Sequence, residues 1–263
     1  MPTKTAKLTL LIYYILLTSL SVFSWSEPMP LPLLQVRTIA VSPYGIENPE
    51  GNSGIYYELA DALANTLSSH DNVKINHQIY PYARIIHELK NGQTDLTIMF
   101  KYKELEDYVS YIAPLPTLKN VIIGLKGTHI KDLHELEGKT LAYLRGAKFS
   151  DAIDNNKKIL KITTKDFRQG INLLAAQRVD AIIGPLTPII AAAQELREAD
   201  GFFGTPLIVS ERTPWLQISN RSKLIHASQR LKEQFTHLLS TNELERLRKK
   251  YLTHSRHLIE SRE

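Results

Sequence analysis

Five basic residues are the strongest candidates for chemistry, because they lie in or beside predicted turns with few acidic residues nearby: Arg84, Lys101, Lys103, Arg145 and Lys148. Guanidinium and ammonium groups receive carboxylates and other anions through charge-assisted hydrogen bonds. Any one of these residues, taken alone, is more simply explained as part of a solvated surface. Taken together, they favour an anionic or neutral ligand over a cationic one.

Groups that could catalyse a reaction are scarcer. A positioned acid/base pair would have to come from Glu50, Glu58 and Glu104, and Glu58 is more simply a surface carboxylate of a helix. The nine histidines show no HExxH spacing, and the sequence contains no Gly-x-Ser-x-Gly elbow, P-loop or dinucleotide fingerprint. We therefore predict a binding protein rather than an enzyme, with no cofactor and no metal site.

The clearest scaffold for these residues is Tyr80–Pro114. An amphipathic helix stops at Asn91-Gly92, and an apolar strand at Leu96–Phe100 follows a turn that contains an aspartate. The same order of helix, turn, aspartate and strand recurs over 173–185. The repetition predicts two lobes of similar construction that close on a small molecule.

Strands alternate with helices along the rest of the chain, which predicts an α/β fold. The strands expected on the sequence pattern are Val36–Ser42, Val73–Tyr80, Val121–Leu125, Thr140–Leu144, Leu207–Ser210 and Leu216–Ser219. The last two are expected to return to the first lobe. Helices are expected at 55–67, 222–239 and 241–252.

The first 26 residues have the layout of a secretory signal peptide. Lys4 and Lys7 precede an apolar run over 8–23, and small residues flank the end of the segment at Ser26. The alternative is an uncleaved membrane anchor, although the run is short against the roughly 20 residues that a spanning helix needs. With no cysteine in the chain, a lipid anchor and disulfides are excluded, which suits a bacterial periplasm.

The charge balance argues against nucleic acid. The formal charge of +5 at pH 7 falls to +3 when Lys4 and Lys7 leave with the signal peptide. Basic residues are spread along the chain without a basic and aromatic stripe. The densest cluster, over 246–250, has Glu243 and Glu245 beside it and is best explained as a solvated helix face.

The order of elements resembles the bacterial periplasmic solute-binding proteins (family 3) of polar amino acid ABC importers. The resemblance covers nearly all of the chain beyond the signal peptide. It rests on the order and spacing of five phrases: SPYGIENPEGNSGIYYELADALA, ELKNGQTDLTI, DYVSYIAPLP, LEGKTLAYLRGA and AAQRVDAIIGP. It implies an α/β, two-lobed, type II periplasmic-binding-protein-like fold with two hinge strands between the lobes. Lobe 1 would comprise 27–120 and 206–263, and lobe 2 would comprise 121–205.

The resemblance also implies a function. A monomeric periplasmic protein would capture a small polar ligand (an amino acid or a related carboxylate or anion) between its lobes and deliver it to an ABC permease. The alternative is a ligand-sensing subunit that docks on a membrane signalling protein, and the sequence does not separate the two. An exported enzyme of dehydratase type on the same fold is the less favoured third reading.

Carried over to this sequence, the family pattern places aromatic ligand contacts at Tyr44 and Tyr82 in lobe 1. Met99 and Phe100 stand where the family often has small hydroxyl residues, which predicts a drier and narrower pocket. No arginine occurs from 85 to 144, where the family has the one that binds a carboxylate. Lys101 or Lys103 could supply the charge, but lysine lacks the planar fork of arginine.

In lobe 2, the turn that usually receives the ligand carboxylate is Arg145-Gly146-Ala147-Lys148, without the usual hydroxyl pair. Pro185 stands close to the position where the family has an acidic residue for an α-ammonium group. The arginine that binds the carboxylate of an α-amino acid and the acidic residue that binds its ammonium group are therefore both missing from their usual places. Among the basic residues, Arg84 and Lys148 are the leading candidates for ligand contact.

Overall fold

Two five-stranded sheets, each with helices packed on it, dominate the computed structural model, which describes residues 31–196 and 201–252. The predicted signal peptide, residues 1–26, lies outside the described residues. The first part of the chain forms β1 (Leu33–Ile39), α1 (Ile55–Asp71), β2 (Lys74–Tyr80), α2 (Tyr82–Asn91), β3 (Leu96–Phe100) and β4 (Val109–Pro114). No helix among the described residues has the length and apolar character needed to cross a membrane.

The middle part repeats the alternation. It forms β5 (Leu118–Ile123), β6 (Thr140–Leu144), α3 (Asp151–Asp154), β7 (Leu160–Thr164), α4 (Phe167–Ala175), β8 (Ala181–Pro185) and α5 (Leu186–Glu195). The last part forms β9 (Leu207–Arg212), β10 (Pro214–Ser219), α6 (Ser228–Ser240) and α7 (Glu243–Leu252).

The strand order in the first sheet is β2-β1-β3-β10-β4, and in the second it is β7-β6-β8-β5-β9. In each sheet four strands run in the same direction, and one strand, β10 in the first sheet and β5 in the second, is antiparallel to both of its neighbours. The central strands β3 and β8 are buried along their whole length, as expected for strands covered on both faces. This architecture confirms the predicted two-lobed fold. We call the first sheet with its helices the first lobe, and the second sheet with its helices the second lobe.

Local sequence explains where the elements near the site begin and end. Helix α2 ends at Gly92, whose φ of 71° is a left-handed value that glycine adopts readily, and its N–H donates to the Leu89 carbonyl at 3.2 Å. Helix α4 begins after Asp166, whose carboxylate accepts a hydrogen bond from the Gln169 N–H at 2.7 Å. These two helices match the two repeated units of the sequence.

The chain passes between the lobes at two adjacent points, residues 115–117 and Thr213. The Thr117 and Thr213 hydroxyls lie 2.6 Å apart, and the Leu115 N–H donates to the Pro214 carbonyl at 2.8 Å. One expectation was wrong: the strand at Leu207–Arg212 pairs with β5 in the second sheet and does not return to the first. The lobe borders at 120/121 and 205/206 stay a prediction, while the second sheet itself extends from Leu118 to Arg212.

His77 is a buried histidine on β2 that faces α1. Its Nε2 lies 2.9 Å from the Thr38 Oγ1, and its Nδ1 lies 3.3 Å from the Asp61 Oδ1. The ring stacks on Tyr57 at 3.9 Å. Burial lowers the pKa of His77, as does the charge of Arg37, and the hydrogen bond and charge of Asp61 only partly oppose this.

We expect His77 to make the fold sensitive to acid. Below the ordinary pKa of 6.5 the unfolded chain takes up a proton, whereas the folded histidine does so only at lower pH. Its effect on stability is therefore absent above this pH, and stability falls as the pH drops below it. His77→Gln should flatten the change in urea midpoint between about pH 7 and pH 5.5. His237→Gln, on the exposed face of α6, is the control, and identical pH profiles for all three proteins would contradict the expectation.

Candidate functional site

A cleft between the lobes lies at the carboxyl ends of β1, β3, β6 and β8. Its walls come from both sheets and are almost entirely apolar or aromatic: Ile39, Val41, Tyr44, Tyr56, Tyr82, Met99, Phe100, Leu118, Leu144, Phe149, Phe167, Pro185, Pro188 and Pro214. The cavity left between them is about 10 Å³, which is room for no more than one water molecule. We call this the dry cleft.

Tyrosines form the wall of the dry cleft on the side of the first lobe. Tyr44 stacks on Tyr56 with ring centroids 4.2 Å apart, and Tyr82 lies 6.3 Å from Tyr102. Burial raises the pKa of Tyr56, Tyr82 and Tyr102. These hydroxyls stay neutral at physiological pH, so this wall offers hydrogen bonds and ring faces but no charge.

The turn that contains Gly146 touches the first lobe directly. A Cβ placed on Gly146 would lie 2.9 Å from both the backbone nitrogen and the Cβ of Ala83, in the first turn of α2. Gly146 also has a φ of 77°, a value that other residues rarely adopt. Close approach of the two lobes at this point therefore requires glycine.

A second contact between the lobes lies at the exposed edge. The Ser42 hydroxyl, from the loop after β1, donates to the Glu195 Oε1 at the end of α5 over 2.7 Å. In this structure the lobes are thus closed on one another on more than one side.

A larger, polar cavity adjoins the dry cleft, with a volume of about 440 Å³. We call it the polar chamber. Its lining comes from the loop after β3, from the segment between β6 and the end of α3, and from β9: Lys101, Tyr102, Lys103, Glu104, Lys148, Phe149, Ser150, Asp151, Asp154, Asn155 and Arg212. Both lobes therefore contribute charged groups to one space of the size that small-molecule sites usually have.

Arg212 joins the two walls of the polar chamber. Its guanidinium donates hydrogen bonds to the Lys101 carbonyl in the first lobe and to the Lys148 carbonyl in the second. It also lies over two aromatic rings, 4.8 Å from the centroid of Phe100 and 5.2 Å from that of Tyr102. A guanidinium has five N–H groups, so these two contacts leave donors for a further partner.

The carboxylate of Asp154 is fixed on the opposite wall. It accepts a hydrogen bond from the Tyr143 hydroxyl, and the Phe149 N–H lies 3.4 Å from its Oδ1. Glu104 instead pairs with Lys90. Within residues 31–196 and 201–252, no cluster of three or more acidic or histidine side chains could hold a metal ion.

The predicted site residues separate into four groups, of which the last, Arg84 and Arg145, lines neither cavity. The dry cleft contains Tyr44, Tyr82, Met99, Phe100 and Pro185, and the polar chamber contains Lys101 and Lys148. Gly146 forms the contact between the lobes, and Ala147 beside it is buried. Met99 and Phe100, which are expected to make the pocket dry and narrow, line the dry cleft. Whether any of these residues contacts a ligand stays a prediction.

Arg84 and Arg145 line neither cavity. The Arg84 guanidinium lies 3.4 Å from the centroid of Tyr80, and its Nε lies 3.0 Å from the Glu88 Oε1. Arg145 is exposed on the turn. Glu58, considered above as an acid or base, pairs with Lys250 at 2.6 Å. All three therefore lie away from the two cavities between the lobes.

Sequence reasoning missed Arg212, Phe149 and Asp154. Arg212 is 64 residues from Lys148 and 111 from Lys101, so only the paired hinge segments bring these three groups together. The sequence did contain one signal. The family's carboxylate-binding arginine is missing from 85–144, so an arginine elsewhere in the chain could have been considered for that role.

Comparison with known proteins agrees with this geometry. The family model for bacterial extracellular solute-binding proteins, family 3, matches residues 36–254. No curated protein matches the sequence.

Three solved structures illustrate the likeness of fold. An ancestral arginine-binding protein bound to arginine is 20% identical, with a TM-score of 0.69 over 85% of this chain and 99% of its own. A histidine kinase sensor domain similar to periplasmic binding proteins is 18% identical, with a TM-score of 0.66 over 83% of this chain and 96% of its own. The ancestral amino acid-binding protein AncCDT-1, a precursor of cyclohexadienyl dehydratase, is 20% identical, with a TM-score of 0.65 over 83% and 94%. At these identities the likeness concerns the fold.

Proposed function

Because the chain belongs to the bacterial extracellular solute-binding proteins, family 3, we propose that it is a periplasmic binding protein for a small polar ligand with an anionic group. It is exported through residues 1–26, acts as a monomer without a cofactor, and delivers its ligand to an ABC importer. The observation that carries this proposal is the polar chamber, a space of about 440 Å³ with charged walls from both lobes.

The physical basis is differential affinity. In an open clamp a ligand contacts one wall, and after closure it contacts both, so occupancy favours the closed state. Two charged residues of the chamber have partners elsewhere: Lys101 lies over Trp215, and Glu104 pairs with Lys90. Of the remaining charged residues in the lining, three are basic and two are acidic: Lys103, Lys148 and Arg212 against Asp151 and Asp154. This balance favours an anion such as a carboxylate.

A thermal-shift screen of the purified protein tests the proposal. The panel would contain amino acids, dicarboxylates, small sugars and polyamines. A ligand that binds only the folded state raises the melting temperature, by an amount that grows with its concentration. We expect saturable shifts from carboxylates. Shifts from sugars or polyamines alone would contradict the proposed ligand class.

Lys148→Glu is expected to weaken carboxylate binding by at least about tenfold, since it reverses one charge on the wall of the second lobe. The residue is exposed on a turn, so the melting temperature of the free protein should change little. Lys139→Glu, away from the chamber on the same lobe, is the control for net charge. Titration calorimetry would measure both, and equal affinities in the two variants would remove Lys148 from the site.

A sensory role is the second candidate, and it rests on the similarity to a histidine kinase sensor domain. The same closure would then be transmitted to a membrane signalling protein. The two roles differ in the partner: a crosslinking experiment in cells should recover a permease for an importer and a kinase for a sensor.

A further inference from the structure

We infer that Arg212 is the residue that binds the anionic group of the ligand, at a site in the polar chamber beside the dry cleft. This inference rests on the proposed function. It assigns the role to an arginine on β9, next to the hinge, and not to the loop after β3, which contains no arginine.

Among residues 31–196 and 201–252, the charge of Arg212 has no acidic partner. The residue is half-buried, and among the described residues no carboxylate forms an ion pair with it. Its two hydrogen bonds go to backbone carbonyls, which carry only partial charge. A half-buried guanidinium held over two aromatic rings attracts an anion more strongly than a fully exposed one does.

The hydroxyl of Tyr102, which lines the same chamber, also needs a partner. Tyr102 is 3% exposed, and within the described part of the chain its hydroxyl completes no hydrogen bond of ordinary geometry, although the backbone of Lys148 lies close by. A buried hydroxyl without a partner is costly. A ligand oxygen in the chamber would satisfy it while the guanidinium takes the charge.

Space between the lobes points to the same location. The dry cleft holds at most about one water molecule. The polar chamber is the adjoining volume with room for a small carboxylate, and Arg212 spans its two walls. A carboxylate bound there would contact Arg212, whose guanidinium is hydrogen-bonded to both lobes, and this links ligand binding to closure.

Arg212 could act on binding in a second way, by holding the lobes together without touching the ligand. The experiment must separate the two roles. We propose titrating the protein with two pairs of probes in which amides replace the carboxylates: succinate against succinamide, which replaces both, and L-alanine against L-alaninamide, which replaces one. The wild-type protein would be compared with Arg212→Met and Arg212→Lys.

If Arg212 contacts the anion, the wild type prefers the acid of a pair by at least about tenfold, and Arg212→Met reduces this preference to within about twofold. Arg212→Lys should retain part of it, because the charge remains and the fork is lost. Arg84→Met controls for loss of an arginine outside the chamber, and Ser42→Ala for loss of a contact between the lobes. Both controls should keep the full preference.

An equal loss of affinity for acid and amide in Arg212→Met would overturn this inference and leave the proposed function intact. Lack of binding of every probe to the wild type would instead count against the proposed ligand class. If the result supports the inference, the acid that binds, succinate or L-alanine, shows which class of carboxylate the protein prefers. Binding of succinate indicates an amine-free acid, and binding of L-alanine indicates an amino acid.

Discussion

Glu88→Ala is expected to lower the free energy of unfolding by about 3–5 kcal/mol, the usual cost of removing one partner from a buried ion pair. Glu88 Oε2 lies 3.1 Å from the Arg37 Nε, and its side chain and that of Arg37 are only 10% and 6% exposed. The Thr94 hydroxyl donates to the same oxygen at 2.9 Å. The substitution leaves the Arg37 charge buried without its carboxylate.

Urea denaturation with Glu104→Ala as the matched control would measure this effect. Glu104 also pairs with a basic residue, Lys90, but at the surface, so its loss should cost no more than about 1 kcal/mol. A Glu88→Ala variant as stable as the control would show that the network contributes little.

Glu88 also predicts that the stability of the protein depends on pH. Burial alone would raise the pKa of Glu88, but hydrogen bonds from Thr94 and Arg84 and the charge of Arg37 outweigh it, so the pKa is lowered. Its contribution to stability is therefore present above the ordinary pKa of 4.5 and is lost as the pH falls through the lowered value.

Gly146→Val is expected to reduce ligand affinity by about a hundredfold or more while the protein remains folded. The added Cβ would meet the backbone of Ala83 at 2.9 Å, so the lobes could not close fully and a ligand would lose contacts with one wall. An affinity loss of this size corresponds to about 2.7 kcal/mol or more. Calorimetry with whichever carboxylate binds the wild type would measure it.

The chain offers a close control for this variant. Gly138 has a φ of 78°, nearly the same as the 77° of Gly146, but a Cβ there would meet nothing within 4 Å. Gly138→Val thus carries the same backbone strain without the contact between lobes. Gly138→Val should lose about as much stability as Gly146→Val and keep the ligand affinity of the wild type. Equal affinity in the two variants would show that closure at Gly146 is not needed.

Much of the fold could be predicted from local pattern. The helix that stops at Gly92, the buried strand β3 and the second unit that ends in β8 each have signals within about 15 residues, which is the range over which periodicity and capping act. The destination of β9 could not be predicted in this way. Its alternation resembles that of any short strand, and its pairing with β5 is decided by contacts some 90 residues away in the sequence.

The site was less predictable for a related reason. Met99 and Phe100 could be anticipated as apolar wall residues, because they stand where the family often has small hydroxyl residues. Arg84 stood out in the sequence as a basic residue near Tyr82 at the start of a helix, whereas Arg212 did not stand out. Only the fold shows that Glu88 and Tyr80 already engage Arg84, whereas Arg212 lies between the lobes.

Native mass spectrometry can show whether this protein captures one small molecule between its lobes. The protein would be incubated with a small-molecule extract of bacterial cells and then desalted, which removes the molecules that the protein has not bound. We predict one saturable adduct of a small carboxylate per chain, which is lost in Gly146→Val and retained in Gly138→Val. The absence of any adduct on the wild type, or an adduct that both variants keep equally, would contradict capture between the lobes.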